Sequence, residues 1–121
     1  MTKLFDEISL KTSKLVTTSY STSFSLGILF LDKEVRDHIY SIYGFVRFAD
    51  EIVDTFEGFN QKELLANFEN NLQSSIENKI SLNPILNSFQ KTYNKFNLGE
   101  DLTGKFMASM AMDLNKKDYT E

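Results

Sequence analysis

The chain has no cysteine, one proline, five glycines and one histidine in 121 residues. Without cysteine there are no disulfides, thiolate metal sites or thiol nucleophiles. With His38 as the lone imidazole, a histidine-rich metal centre is excluded too. Scarce glycine and proline argue against a turn-rich β fold and for long helices. No basic run occurs and the net charge is −4, so nucleic acid is not an expected partner. An anionic substrate would need local help from a metal ion or arginine against that background. The longest apolar stretch, Leu26–Leu31, is far too short to span a bilayer. The acidic start Met1–Glu7 lacks the apolar run of a signal peptide. The cytoplasm is the expected location, with peripheral contact to a membrane surface left open.

Hydrophobic residues make up 41% of the chain and aromatic residues 13%, mostly Phe. That is enough for one core, and the length predicts a single helical domain over 1–121. Leu4 to Val16 reads as a helix with Leu4, Ile8 and Leu15 on one face. Thr17 to Ser25 is rich in hydroxyls, which compete for backbone hydrogen bonds and predict a bend or cap. Ser25 to Leu31 reads as a short buried helix. Asp32 is an expected N-cap for a long helix from Lys33 to about Phe56. Its apolar seam is Val35, Ile39, Ile42, Val46, Ala49 and Val53.

Gly58 and Asn60 then break the chain. Gln61 to Ile80 predicts a helix with Leu64, Phe68, Leu72, Ile76 and Ile80 inward. Asn83-Pro84 is a helix start, with a terminus expected near Gly99. A last helix runs from Asp101 to about Asn115 and should bury Leu102, Phe106, Met110 and Leu114. The fold class is all-α.

One residue round from the seam of the long helix lies a second stripe: Arg36, Tyr40, Tyr43, Arg47, Asp50 and Asp54. A polar stripe beside a core seam suits a helix that lines a cavity. Asp50 and Asp54 are four residues apart, about 6 Å along the axis, on the same face. Two like charges at that spacing repel unless a cation joins them. Carboxylates are hard ligands suited to Mg²⁺, which takes one or two of them together with substrate phosphates. The pair therefore predicts a Mg²⁺-diphosphate site, with Mn²⁺ as an alternative ion. Arg47 and Tyr43 strengthen that reading, since Arg binds phosphate oxygens bidentately and Tyr donates a hydrogen bond. The plainer reading is a solvated helix face, with Arg47 bridged to Asp50 or Glu51; the two are compatible. Tyr20, Ser21, Thr22 and Ser23 read either as a loop with local caps or as donors for an anion. His38 reads as structural. Phe106, Met107, Met110 and Met112 read as core, although an apolar cavity would use the same residue types.

Three segments in order resemble the N-terminal part of the squalene/phytoene synthase family. They are Tyr20-Ser21-Thr22-Ser23-Phe24-Ser25, Phe30 to Arg36, and Ile42 to Asp54 with its Tyr-x-x-x-Arg and Asp-x-x-x-Asp spacing. Ser109 to Leu114, continuing to Tyr119, resembles the family's mid-chain MxxDL stretch. The resemblance implies an isoprenoid-synthase-type helical bundle around a deep apolar cavity. It implies Mg²⁺-dependent head-to-head condensation of two prenyl diphosphates, farnesyl or geranylgeranyl, toward squalene, dehydrosqualene or phytoene. By the same resemblance Asp50 and Asp54 hold Mg²⁺, Arg47 and Tyr43 contact the substrate diphosphate, and Tyr20 to Ser23 hold the other diphosphate region.

The chain departs from the family pattern in three places. Glu51 follows Asp50 where many members have a second Asp, Ala111 replaces an Arg common in plant-type members, and the second aspartate-rich motif has no counterpart. The chain therefore reads as an N-terminal fragment, inactive alone and prone to self-association through uncovered apolar faces. NADPH dependence and prenyl chain length are not legible. The competing reading is a non-catalytic helical module that binds a prenyl diphosphate or a protein partner. A chain-elongating prenyl transferase would share the Asp-rich helix, but the Tyr-Ser-Thr-Ser-Phe segment argues against it.

Overall fold

The computed structural model describes residues 1–119, with side chains through Lys117. Among them there are six helices and no strand: α1 (Lys3–Tyr20), α2 (Thr22–Ile28), α3 (Lys33–Asp54), α4 (Gln61–Asn78), α5 (Pro84–Phe96) and α6 (Glu100–Tyr119). α1, α3 and α5 pack on one another, α4 lies against α3 and α5, and α6 closes on α3 and α4. No helix among the described residues is long and apolar enough to cross a membrane. Thr120 and Glu121 lie outside the described residues, as does the side chain of Tyr119, the expected end of the MxxDL stretch.

The hydroxyl-rich segment does not break where the sequence predicts. Ser9, Thr12, Thr17 and Thr18 donate to the carbonyls of Phe5, Ile8, Ser13 and Lys14 at 2.8–3.0 Å. These i to i−4 bonds keep the hydroxyls inside the helix, so α1 continues to Tyr20. Only Ser21 leaves the helical path (φ −144°, ψ 99°), and its Oγ caps α2 by accepting from the Phe24 amide at 3.2 Å.

The expected inward face of α1 is also reversed. Leu4, Ile8 and Leu15 are exposed, while Ser9, Ser13, Val16 and Thr17 are buried. Small residues on that face let α1 approach α3 closely at Gly44, where an added Cβ would sit 3.2 Å from Ser13 Oγ and 3.3 Å from Ser13 Cβ. α2 begins three residues earlier than expected and buries only Ile28; Leu26, Leu29, Phe30 and Leu31 are exposed. It is too short to bury a stripe and is packed chiefly against the end of α1.

α3 follows the predicted span, but Asp32 caps it by backbone position without a side-chain bond. Its core face is Tyr40, Ser41, Gly44, Phe45, Ala49, Ile52 and Val53. Val35 is exposed and Ile39, Ile42 and Val46 are half-buried. The face is turned because Gly44 meets α1 while Phe45 fills the centre. The Phe45 ring stacks on Phe89 at 4.2 Å and Phe68 at 5.7 Å, with Phe106 tilted at 5.3 Å.

Asn83 caps α5 as its sequence predicts, accepting from the Ile85 and Leu86 amides at 3.0 and 3.2 Å. The helix stops at Phe96 because Asn97 takes the left-handed conformation (φ 50°), two residues before Gly99. α4 likewise stops before Ile80, at left-handed Lys79 (φ 57°), and both Ile80 and Leu64 lie outside the buried core. α6 buries Thr103, Met107 and Leu114, with Phe106 and Met110 at the core edge, whereas Leu102 and Met112 are exposed.

Candidate functional site

Of the α3 stripe, Tyr43, Arg47, Asp50 and Asp54 stay on a half-buried to exposed face, whereas Tyr40 is drawn into the core, and the end of α1 is folded against that face. The Phe24 ring of α2 stacks on Tyr43 with centroids 5.1 Å apart. One turn further along α3, the Arg47 guanidinium lies over the Tyr20 ring, Cζ 4.5 Å from its centroid. Residues 19 and 27 positions apart thus form one wall, because Ser21 turns the chain sharply between α1 and α2.

Both salt bridges expected of Arg47 occur. Nη2 donates to Glu51 Oε2 at 2.7 Å, and Nη1 lies 3.7 Å from Asp50 Oδ2. Burial works to lower the Arg47 pKa, but the Glu51 hydrogen bond and the Glu51, Asp50 and Tyr20 charges raise it. Glu51 is held at about 2 by hydrogen bonds from Thr55, Arg47 and Tyr20. The Tyr20 hydroxyl is raised, first by its bond to Glu51 and then by burial.

Asp50 behaves differently. Burial raises its pKa, Arg47 counters, and the charges of Asp54 and Asp113 raise it further. Asp54, more exposed, is paired with Lys117 Nζ of α6 at 2.9 Å, and the same ammonium donates to the Val53 carbonyl at 3.0 Å. Among the described residues no three His, Asp or Glu side chains form a group that could hold a metal ion. Asp50 and Asp54 could supply two carboxylate ligands to a divalent ion, and the rest would have to be phosphate oxygens and water, as in Mg²⁺-phosphate sites.

The other expected donors sit beside this wall. Ser21 uses its Oγ as the α2 cap, and Thr22 and Ser23 are exposed on the first turn of α2. An apolar cleft of about 230 Å³ between α3, α5 and α6 is lined by Ile42, Val46, Leu98 and Phe106, among others. A wider open groove of about 530 Å³, carrying Asp6, Asp37, His38 and Ser88, lies on the opposite side of α3. There His38 Nδ1 pairs with Thr92 Oγ1 at 2.8 Å and the ring meets Phe96 edge-on, in keeping with a structural role.

The structure adds Glu51, Asp113 and Lys117 to the residues that the sequence pattern marks for the site. Glu51 was legible as an i,i+4 partner of Arg47. The contacts of Asp113 and Lys117 arise only when α6 docks on α3.

Known proteins place this wall in context. No curated protein matches the chain significantly. A solved structure, the squalene synthase HpnC from Alicyclobacillus acidocaldarius, superposes with a TM-score of 0.74 at 24% sequence identity. That match covers 90% of this chain and 40% of the HpnC chain, so the chain spans well under half the length of that protein. The similarity shows the same helical fold. The family model described as squalene/phytoene synthase matches residues 17–121, from the end of α1 through the acidic stripe to α6. The chain belongs to the squalene/phytoene synthase family.

Proposed function

We propose that the α1–α3 wall is the first half of a Mg²⁺-diphosphate site in a head-to-head prenyl diphosphate synthase. The observation that carries this reading is the convergence of Tyr20, Tyr43, Arg47, Asp50 and Asp54 on one face. When bound, Mg²⁺ would be held by Asp50 and Asp54 and would neutralise charge on a departing diphosphate. Arg47 supplies a fixed positive charge for the same oxyanion, and Tyr43 borders it. Thr22 and Ser23 offer hydroxyl donors toward a second diphosphate. The apolar side chains flanking α3 give a prenyl tail a surface away from water. The substrate class that fits is a farnesyl or geranylgeranyl diphosphate; NADPH forms no part of the proposal.

One half-wall cannot close around two diphosphates, so the 121-residue chain binds substrate without turning it over. Calorimetry with a non-hydrolysable farnesyl diphosphate analogue tests this. Binding should require Mg²⁺ and disappear in Asp50→Ala and Asp54→Ala. Turnover by the chain alone would contradict its assignment as a half-site.

A second reading, a helical module that binds a partner without catalysis, draws on the existing pairing of Asp54 with Lys117. The exposed Leu4, Ile8 and Leu15 of α1 also suit association with a partner or a second copy. A well-folded chain that binds no diphosphate at any Mg²⁺ concentration would favour it.

A further inference from the structure

Glu51 stands next to Asp50 in sequence, and composition alone would count it as a third acid of the metal motif. Its surroundings assign it another task. Oε2 accepts from Arg47 Nη2 at 2.7 Å, one helical turn back. Oε1 accepts from the Thr55 hydroxyl, one turn forward. The Tyr20 ring, arriving from the end of α1, lies against the guanidinium that this carboxylate holds, with Arg47 Cζ 4.5 Å from its centroid. Each oxygen thus accepts from a donor one helical turn away, and a metal ion on Glu51 would have to compete with Arg47 and Thr55 for the carboxylate.

The consequence falls on Arg47. Glu51 fixes one edge of its guanidinium, the Tyr20 ring covers one face, and Nε is buried without a hydrogen-bond partner. What remains is Nη1, on the Asp50 side at 3.7 Å, the edge available to an oxyanion held between Arg47 and the acid pair. A free arginine side chain would have to surrender much of its rotamer freedom on binding. Here the Glu51 hydrogen bond and the Tyr20 ring restrict that freedom from two sides.

We propose that Glu51 is a positioning residue. It locks Arg47 and Tyr20 into a single diphosphate-facing unit and takes no part in metal binding. The proposal rests on the diphosphate reading above and deepens it by dividing the acidic motif into two tasks: Asp50 and Asp54 for the metal, Glu51 for the arginine.

The test combines a ligand-free and a ligand-bound readout. The chain has two arginines, Arg36 and Arg47, so the guanidinium NMR signals are assigned with one Arg36→Lys variant. In the parent chain Arg47 should show slow rotation about its Cζ–Nη bonds. Glu51→Gln should make that rotation fast. The same variant should weaken pyrophosphate binding about tenfold, the size expected for loss of a charge-assisted hydrogen bond. Its half-saturating Mg²⁺ concentration should stay unchanged, whereas Asp50→Asn should raise that concentration.

Tyr20→Phe removes the hydroxyl and keeps the ring. It serves as the second variant if Glu51→Gln unfolds, and should give a smaller effect in the same direction. Unchanged Arg47 rotation and pyrophosphate affinity in Glu51→Gln would overturn the proposal, and so would a Mg²⁺ requirement that shifts as in Asp50→Asn. If the parent chain binds no pyrophosphate, the diphosphate reading fails, and the Arg47 rotation alone decides whether Glu51 positions it.

Discussion

The Arg47 guanidinium covers the Tyr20 ring, with Cζ 4.5 Å from the centroid. This contact joins the last residue of α1 to the middle of α3 and brings the hydroxyl-rich turn onto the acidic face. Cation–π pairs at partly exposed sites contribute about 0.5–1 kcal/mol, and here the same two side chains also share Glu51. The wall is therefore held by contacts among its own side chains.

Gly44 sets the distance between α1 and α3. A Cβ there would lie 3.2–3.4 Å from Ser13 Oγ, Ser13 Cβ and Ile85 Cδ1. Ser13 Oγ is buried without a partner and can turn aside, but Ser13 Cβ is fixed to the backbone of α1. Gly44→Val should push the helices apart and destabilise by about 2–3 kcal/mol through overpacking. A urea midpoint equal to that of the parent chain would show that the contact is looser than described.

Asn87 is the polar centre of the α1–α5 interface. Its Nδ2 donates to Asp6 Oδ1 at 2.9 Å and Ser9 Oγ at 3.0 Å, and its Oδ1 accepts from the Ser81 amide and Gln90 Nε2 at 3.2 Å each. Asn87→Ala should cost about 1–3 kcal/mol, since it strands buried partners. Burial works to raise the Asp6 pKa, but bonds from Asn87, Lys91 and Thr2 bring it below its ordinary 3.8. The stability this contributes is present above pH 3.8 and lost as pH falls through the lower folded value. Denaturation at pH 7 and at stepped acid pH should show a shallower acid dependence in Asn87→Ala.

His38 is the sole histidine, so its titration is read directly by proton NMR. Burial lowers its pKa and Lys95 adds to the shift, while Glu34 and Asp37 oppose it. The midpoint should fall below 6.5. The fold favours the neutral ring, so this contribution to stability is present above pH 6.5 and lost as pH drops through the folded value. A midpoint at or above 6.5 would mean that Glu34 and Asp37 outweigh burial.

Much of this architecture was legible in the residues. The all-α class, the α3 span and the Asn83-Pro84 start follow from periodicity and capping. The paired salt bridges of Arg47 follow from i,i+3 and i,i+4 spacing. What was not legible depended on which face a neighbour covers. Leu4, Ile8 and Leu15 mark an apolar stripe on α1 as clearly as any in the chain, yet the stripe of Ser9, Ser13 and Thr17 is the buried one because Gly44 admits only small side chains. Hydroxyls read as helix breakers instead bonded back to their own helix. Lys117 on Asp54, and the Asp113 charge beside Asp50, belong to the docking of α6, which local sequence does not encode.

The central claim is that Asp50 and Asp54 bind a divalent cation together with a diphosphate. Mn²⁺ in place of Mg²⁺ locates that ion directly, because it broadens backbone amide signals in its neighbourhood. With pyrophosphate present, substoichiometric Mn²⁺ should broaden the amides of Asp50 to Asp54, and Asp50→Asn with Asp54→Asn should abolish the effect. Broadening confined to the Asp6–Asp37 groove on the far side of α3, or unchanged in the double variant, would contradict the claim.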